Sequence, residues 1–165
     1  MTLSQGARAN RNGKQFEEMC IPLFENHGFK ILNISEFRKL EKNNALPKKY
    51  VLKNAPFTSI YNHQGKTEFV IVDKSREIAR IIRIENKYQE SAGSVDEKFP
   101  YMLLNAIQAY PEKEVILVVD GNGYKPGAKQ WLQDRIDEGW LDFKEEKDIK
   151  LMNVIEFVNW LNRAF

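Results

Sequence analysis

Four side chains have types and spacing suited to chemistry: Glu68, Glu85, Lys87 and Gln89. The stretch "RIIRIENKYQ", residues 80–89, alternates as a strand does, with Glu85, Lys87 and Gln89 on one face and Ile82, Ile84 and Tyr88 on the other. An acid and an ammonium at i and i+2 stand roughly 7 Å apart at Cα, close enough to share a substrate. Glu68, in "KTEFVIVD", joins them if the hairpin around residues 74–77 has a four-residue loop. Asp73 then faces Ile78, Glu68 faces Arg83 diagonally from Glu85, and Phe69 faces Ile82. A three-residue loop would turn Glu68 to the opposite face.

Two converging carboxylates repel each other, and the usual remedies are a shared proton or a divalent cation with oxygen ligands, Mg²⁺ being the common choice for phosphate chemistry. Glu68 and Glu85 would hold such a cation with the backbone carbonyl of Asn86. Lys87 would orient an attacking water and offset charge on a phosphoryl oxygen. The spacing is equally that of a Glu–Lys pair on the wet face of an antiparallel strand, which is common and does no chemistry.

Elements to position these residues are legible along the chain. Residues 7–27 read as a helix, with Phe16, Cys20, Leu23 and Phe24 on one face, Gly28 as the stop and Pro22 as a point for a kink or a second helix. "FKILN" reads as a strand, and the run from Lys39 to Lys49 as a surface connection able to hold a short helix. "FTSIY", "TEFVIVD" and "EIARIIRIENKY" form a meander. Ser94 and Glu97 fit a capping box that opens a helix toward Tyr110, with Pro100 in an early turn. "EVILVVDG" is a buried central strand, residues 128–138 a helix, "IKLMN" a weak strand and "VIEFVNWLNRAF" a terminal helix. This order predicts an α/β (α+β) protein, a mixed central sheet with helices on its faces.

The chain of 165 residues is expected to be one domain, 1–165, without internal repeats or linkers. Its 42% hydrophobic and 29% charged residues are ordinary for a soluble protein, and no apolar stretch approaches a membrane span. A lone cysteine, Cys20, and an N-terminus without an apolar core point to the cytoplasm. Net charge is only +2, which neither demands nor excludes nucleic acid, but the first fifteen residues carry only basic charges, at Arg8, Arg11 and Lys14.

The ordered series "GKQFEE", "KTEFVIV" and "IENKYQESAGSVDEKFPY" resembles the PD-(D/E)XK nuclease superfamily, in particular its small restriction-type endonucleases with E-x-K-x-Q and GSVDEK motifs. The likeness runs from about Arg8 to Gly127. It implies an αβββαβ core, with Glu68 as the acid of the second core strand, Glu85 and Lys87 as the E-x-K, and Gln89 as the following glutamine. Glu17 matches the first-helix acid, which reaches the metal directly or through water; Glu68 stands where the superfamily name has Pro-Asp. The resemblance further implies a Mg²⁺-dependent DNA endonuclease, with Mn²⁺ as a substitute; because one such site addresses one phosphodiester at a time, a homodimer or higher oligomer is expected. DNA contacts are expected from Arg8, Arg11, Lys14, Lys98 and Lys125, and Asp96 is read as bracing the helix start. Two alternatives stand beside this: a silent DNA-binding module of the same fold, and a structural α/β protein with a salt-bridged strand end.

Other motifs read as structural. "DGNGYKPGAK" has the wrong spacing for a phosphate-binding loop, with Ala128 at the lysine position. Trp131, Trp140 and Trp160 read as core, and His27 as a helix C-terminal residue.

Overall fold

The computed structural model describes residues 5–90 and 96–165, with residues 5–12 as backbone alone. Its centre is a six-stranded mixed sheet in the order β1-β2-β3-β4-β5-β6, formed by β1 (Lys30–Leu32), β2 (Lys49–Thr58), β3 (Gln64–Asp73), β4 (Arg80–Tyr88), β5 (Glu114–Asp120) and β6 (Asp148–Met152). β2, β3 and β4 are an antiparallel meander, whereas β1 joins β2, β5 joins β4 and β6 joins β5 in parallel. Helices α1 (Gln5–Asn26), α2 (Ile34–Lys42), α3 (Phe99–Gln108), α4 (Pro126–Asp137) and α5 (Val154–Ala164) complete it. The expected αβββαβ core is α1, the meander, α3 and β5, with β1 and α2 inserted before the meander.

α1 runs through Pro22 as one helix, and buries Phe16, Cys20 and Phe24 against Phe69, Ile71, Ile82 and Ile84. α5 packs Phe157 and Leu161 into the same cluster. Behind the sheet, α3 and α4 cover Val115, Leu117 and Val119, while α2 covers Leu52, Val70 and Val72. β5 is therefore buried on both faces, which its unbroken apolar run demands. Each such fully buried Leu, Ile or Phe contributes about 1.5–3 kcal/mol.

Several elements differ from the sequence expectation. β2 begins at Lys49 and takes in "KYVLKNAP", while Ser59–Tyr61 of the expected strand "FTSIY" form a turn; α2 spans 34–42, starting ahead of the 39–49 run where a short helix was expected and ending inside it. Asn54 (φ 49°) and Pro56 disguise β2, yet Pro56 lies beyond the part paired with β1, where a missing N–H is harmless. α3 opens at Phe99 after a short 3₁₀ turn, with Pro100 in its first turn; Ser94 of the expected capping box lies outside the described residues. Reciprocal capping boxes occur instead at Asn33–Glu36 and Asn153–Glu156, before α2 and α5.

The hairpin register is also corrected. Asp73 pairs with Arg80 and Phe69 with Ile84, so the connection has six residues, 74–79, and Arg83 faces Val70 rather than Glu68. Asp73 fixes that turn: its carboxylate accepts from the Ser75 N–H (3.0 Å), the Ser75 hydroxyl (2.5 Å) and Arg76 Nε (3.0 Å). A slip of two residues leaves every side chain on its original face, and extending the true register one step sets Glu68 level with Glu85.

Candidate active site

Regular pairing fails around Glu68. The β3–β4 ladder stops at Phe69–Ile84, and the β2–β3 ladder passes from Lys53–Phe69 to Ala55–Thr67, skipping Glu68 and the left-handed Asn54. Asn86, freed from backbone pairing on that side, donates its N–H to Glu68 Oε2 at 2.7 Å. Glu68 is thus fixed to the E-x-K strand through its side chain. A left-handed asparagine beside it is the sort of local cost that collects at functional sites.

Glu85 is buried, and its Oε1 accepts from Lys87 Nζ. Its Oε2 is buried with no hydrogen-bond partner. Lys87 Nζ also reaches the Asn86 carbonyl oxygen at 3.3 Å. Burial and the neighbouring Glu85 carboxylate push Glu68 up to about 7. Burial works against the Lys87 ammonium, but Glu85 and Glu68 outweigh it and hold its pKa above the ordinary value. Two carboxylates, one ammonium and one available carbonyl therefore meet at the end of β4.

This donor set suits a hard divalent cation: an orphaned buried carboxylate oxygen, a second carboxylate and a backbone carbonyl, all oxygen. It is a sparse set. Among the described residues no group of three or more His, Cys, Asp or Glu side chains converges, so most ligand positions would fall to water or substrate, as is usual for Mg²⁺. Glu17 on α1 is ion-paired with Lys53 on β2. Cys20 is buried, and burial followed by the charge of Glu68 raises its thiol to about 12, leaving it inert.

Gln89 braces the strand end. Its backbone N–H donates to Asp120 O (3.1 Å), its carbonyl accepts from Gly123 N–H (2.7 Å), and its side-chain amide lies 3.4 Å from Gly123 O. Gly121, at φ 96°, sits so close that a Cβ there would lie 2.1 Å from the Gln89 oxygen. The glycine-rich turn after β5 is thus a wedge under the site strand, and the Asp120 carboxylate in turn accepts from Val154 N–H at the start of α5.

Sequence reasoning overlooked Arg83 as a support for this arrangement. It is 3% exposed and grips Glu112 with two bonds, Nε–Oε2 at 2.6 Å and Nη2–Oε1 at 2.9 Å. It also donates to Ala55 O, Pro56 O and Thr67 Oγ1, with its guanidinium over Tyr110 and Phe57. One side chain on β4 thereby fixes β2 and the residue next to Glu68. The available signal was an arginine between two isoleucines, two residues before Glu85 on its face.

The expected DNA contacts divide. Lys14, Lys98 and Lys125 are exposed, Lys14 lying 3.6 Å from Glu18 and Lys125 3.9 Å from Asp96. The side chains of Arg8 and Arg11 lie outside the described residues. His27 hydrogen-bonds Asn162 at 3.0 Å, and the three tryptophans pack against the two main cores.

A mixed sheet sandwiched by helices thus carries a Glu and an E-x-K that meet where a central strand loses its antiparallel neighbour. A family model described as a PD-(D/E)XK nuclease superfamily domain matches residues 8–165, and the chain belongs to that superfamily. Its members are nucleases that generally use divalent metal ions. No curated protein and no solved structure gives a match. Among the described residues no helix is long and apolar enough to cross a membrane.

Proposed function

We propose that the protein is a Mg²⁺-dependent DNA endonuclease whose site is Glu68, Glu85, Lys87 and the Asn86 carbonyl. The observation that carries this reading is Glu85 Oε2, a buried carboxylate oxygen without a partner, beside a second carboxylate already tied to the same strand. Folding leaves such an oxygen bare only at a cost, and a bound cation removes that cost.

Glu68, Glu85 and the Asn86 carbonyl would hold the cation, Mg²⁺ or Mn²⁺, with Glu17 reaching it through water after release from Lys53. When bound, the metal supplies Lewis acidity and lowers the pKa of water. Lys87 donates to a non-bridging phosphoryl oxygen and offsets the charge that grows there. Water adds to phosphorus, the bond to the 3′ oxygen breaks, and that oxygen leaves with a proton as a 3′-hydroxyl. Gln89 holds the strand end rigid, so the ammonium stays aimed.

Arg8, Arg11, Lys14, Lys98 and Lys125 are the proposed phosphate contacts, and a homodimer is the proposed working form, because one site addresses one strand at a time. A restriction-type role in the cytoplasm fits the motif set.

The test is plasmid cleavage with Mg²⁺, with Mn²⁺ and with EDTA, comparing the native chain with Lys87→Ala. Metal-dependent cutting that falls at least about a hundredfold in the variant is expected, as for loss of one charge-stabilising group. Equal cutting by both proteins would place the chemistry elsewhere. Absence of cutting together with salt-sensitive DNA binding would favour a silent binding module.

A further inference from the structure

We propose that the tip of the β2–β3 hairpin, with the start of α3, is a stacking platform for an unpaired nucleobase of the nucleic-acid substrate. Tyr61 at the tip is 64% exposed, and its ring stacks on that of Tyr101 with centroids 5.2 Å apart and planes 22° from parallel. The His63 ring stands edge-on to the tyrosine, with centroids 6.4 Å apart.

The surrounding turn is unusually well anchored for a surface loop. Ser59 is 4% exposed, and its hydroxyl accepts from the N–H groups of Tyr61 and His63, both at 3.3 Å, while Ser59 N–H bonds His63 O at 2.8 Å. Asn105, on α3 and 1% exposed, accepts from Ile60 N–H at 3.0 Å and donates to Tyr101 O at 2.9 Å. Two buried polar side chains thus fix the backbone on both sides of the tyrosine pair. A core needs no such anchoring of an exposed ring; a preorganised contact surface does.

Placement and charge identify the occupant. β4 runs antiparallel to β3, so its C-terminal end points toward the β2–β3 tip, and the tip rises from the end of the sheet that carries Lys87 and Gln89. Tyr61 and Glu68 are seven positions apart in the chain, a span of at most about 23 Å, or roughly seven nucleotides at the rise of a stacked strand. Exposed Lys66 and Lys98 flank the two tyrosines in sequence, suiting a phosphate backbone. An exposed aromatic face beside cations is the recurring means of holding single strands without reading their sequence. Bases paired in a duplex present no free face, so the platform favours single-stranded, frayed or branched DNA.

This inference rests on the nuclease reading for its substrate, but its test does not need turnover. A short fluorescent single strand and the blunt duplex of the same sequence are titrated in EDTA with the native chain, Tyr61→Ala and Tyr61→Phe. Single-strand affinity is expected to fall on the order of tenfold in Tyr61→Ala and to recover in Tyr61→Phe, with duplex affinity changed less than about twofold. Equal losses on both probes, or none on either, overturn the proposal. Photocrosslinking of an iodouracil-substituted strand to the native chain removes any dependence on how the variants fold. Crosslinks at Tyr61 support the platform, and crosslinks confined to other regions overturn it. Failure of plasmid cleavage alone would dismiss the nuclease and leave both readouts decisive.

Discussion

Glu85 has two oxygens with different circumstances, one held by Lys87 and one buried and bare. That difference makes a sharp expectation for the metal. Mn²⁺ should raise the melting temperature of the native chain, since a ligand bound only by the folded state stabilises it by mass action. Glu85→Gln keeps the shape and removes the charge, so the same addition should leave its melting temperature unchanged in differential scanning fluorimetry. At this scale the sequence was informative about identity and poor about partners. Alternation alone put Glu85 and Lys87 together, but nothing in "RIENK" says that Lys87 spans both Glu85 and the Asn86 carbonyl. Nor does "GKQFEE" reveal that Glu17 meets Lys53, which comes from a strand hidden by Asn54 and Pro56.

Among the elements, β4 carries the burden, and Arg83 is its clamp. Arg83→Met should cost roughly 3–5 kcal/mol, because it leaves Glu112 charged with its partner gone and three acceptors unmet. Adding Glu112→Leu should restore most of that stability in urea unfolding, since an apolar pair can replace a buried ion pair. Mn²⁺ affinity should stay weakened in the double variant, because Thr67 beside Glu68 remains unheld. The hairpin shows why elements were legible and their register was not. Hydrophobic alternation has period two, so it fixes the face of Glu68 and is blind to a shift of two residues. What selects the true register lies in contacts that no pattern records. One is the Asp73–Ser75–Arg76 turn; another is the ion pair of Arg80 with Glu114 at 2.7 Å.

For the molecule as a whole, the same turn sets an acid limit. Asp73 is 1% exposed, and although burial alone would raise its pKa, the Ser75 hydroxyl and N–H and the Arg76 guanidinium overcome that and depress it. A carboxylate depressed on folding adds stability that is complete above its unfolded value and fades as pH falls through the folded one. Asp73→Asn should therefore be less stable than the native chain at neutral pH, with the gap closing at strongly acidic pH; chemical denaturation across that range reads it directly. Arg76 also donates to Ala164 O at 2.6 Å, so the turn pins the end of α5 as well as the hairpin. The overall arrangement of helix, meander, helix and strand was visible in the sequence because β5 and the amphipathic helices have strong periods. β2 and α2 were obscured, since a strand containing Asn and Pro, and a short charged helix with no fully buried residue, leave little pattern to read.

The antiparallel centre of the sheet, with parallel pairings on either side of it, has a kinetic consequence. β2, β3 and β4 are joined by short turns, whereas β5 and β6 must each wait for a helical crossover to close. The meander is therefore the natural folding nucleus, and Glu68 and Glu85, seventeen positions apart in the chain, both belong to it. The acidic pair is brought together early, before the parallel strands have covered it. Pulse-labelled amide exchange during refolding should show protection appearing in residues 69–73 and 80–84 ahead of 115–119. Its order is set by chain connectivity, and the two carboxylates come together while the rest of the protein is still unformed.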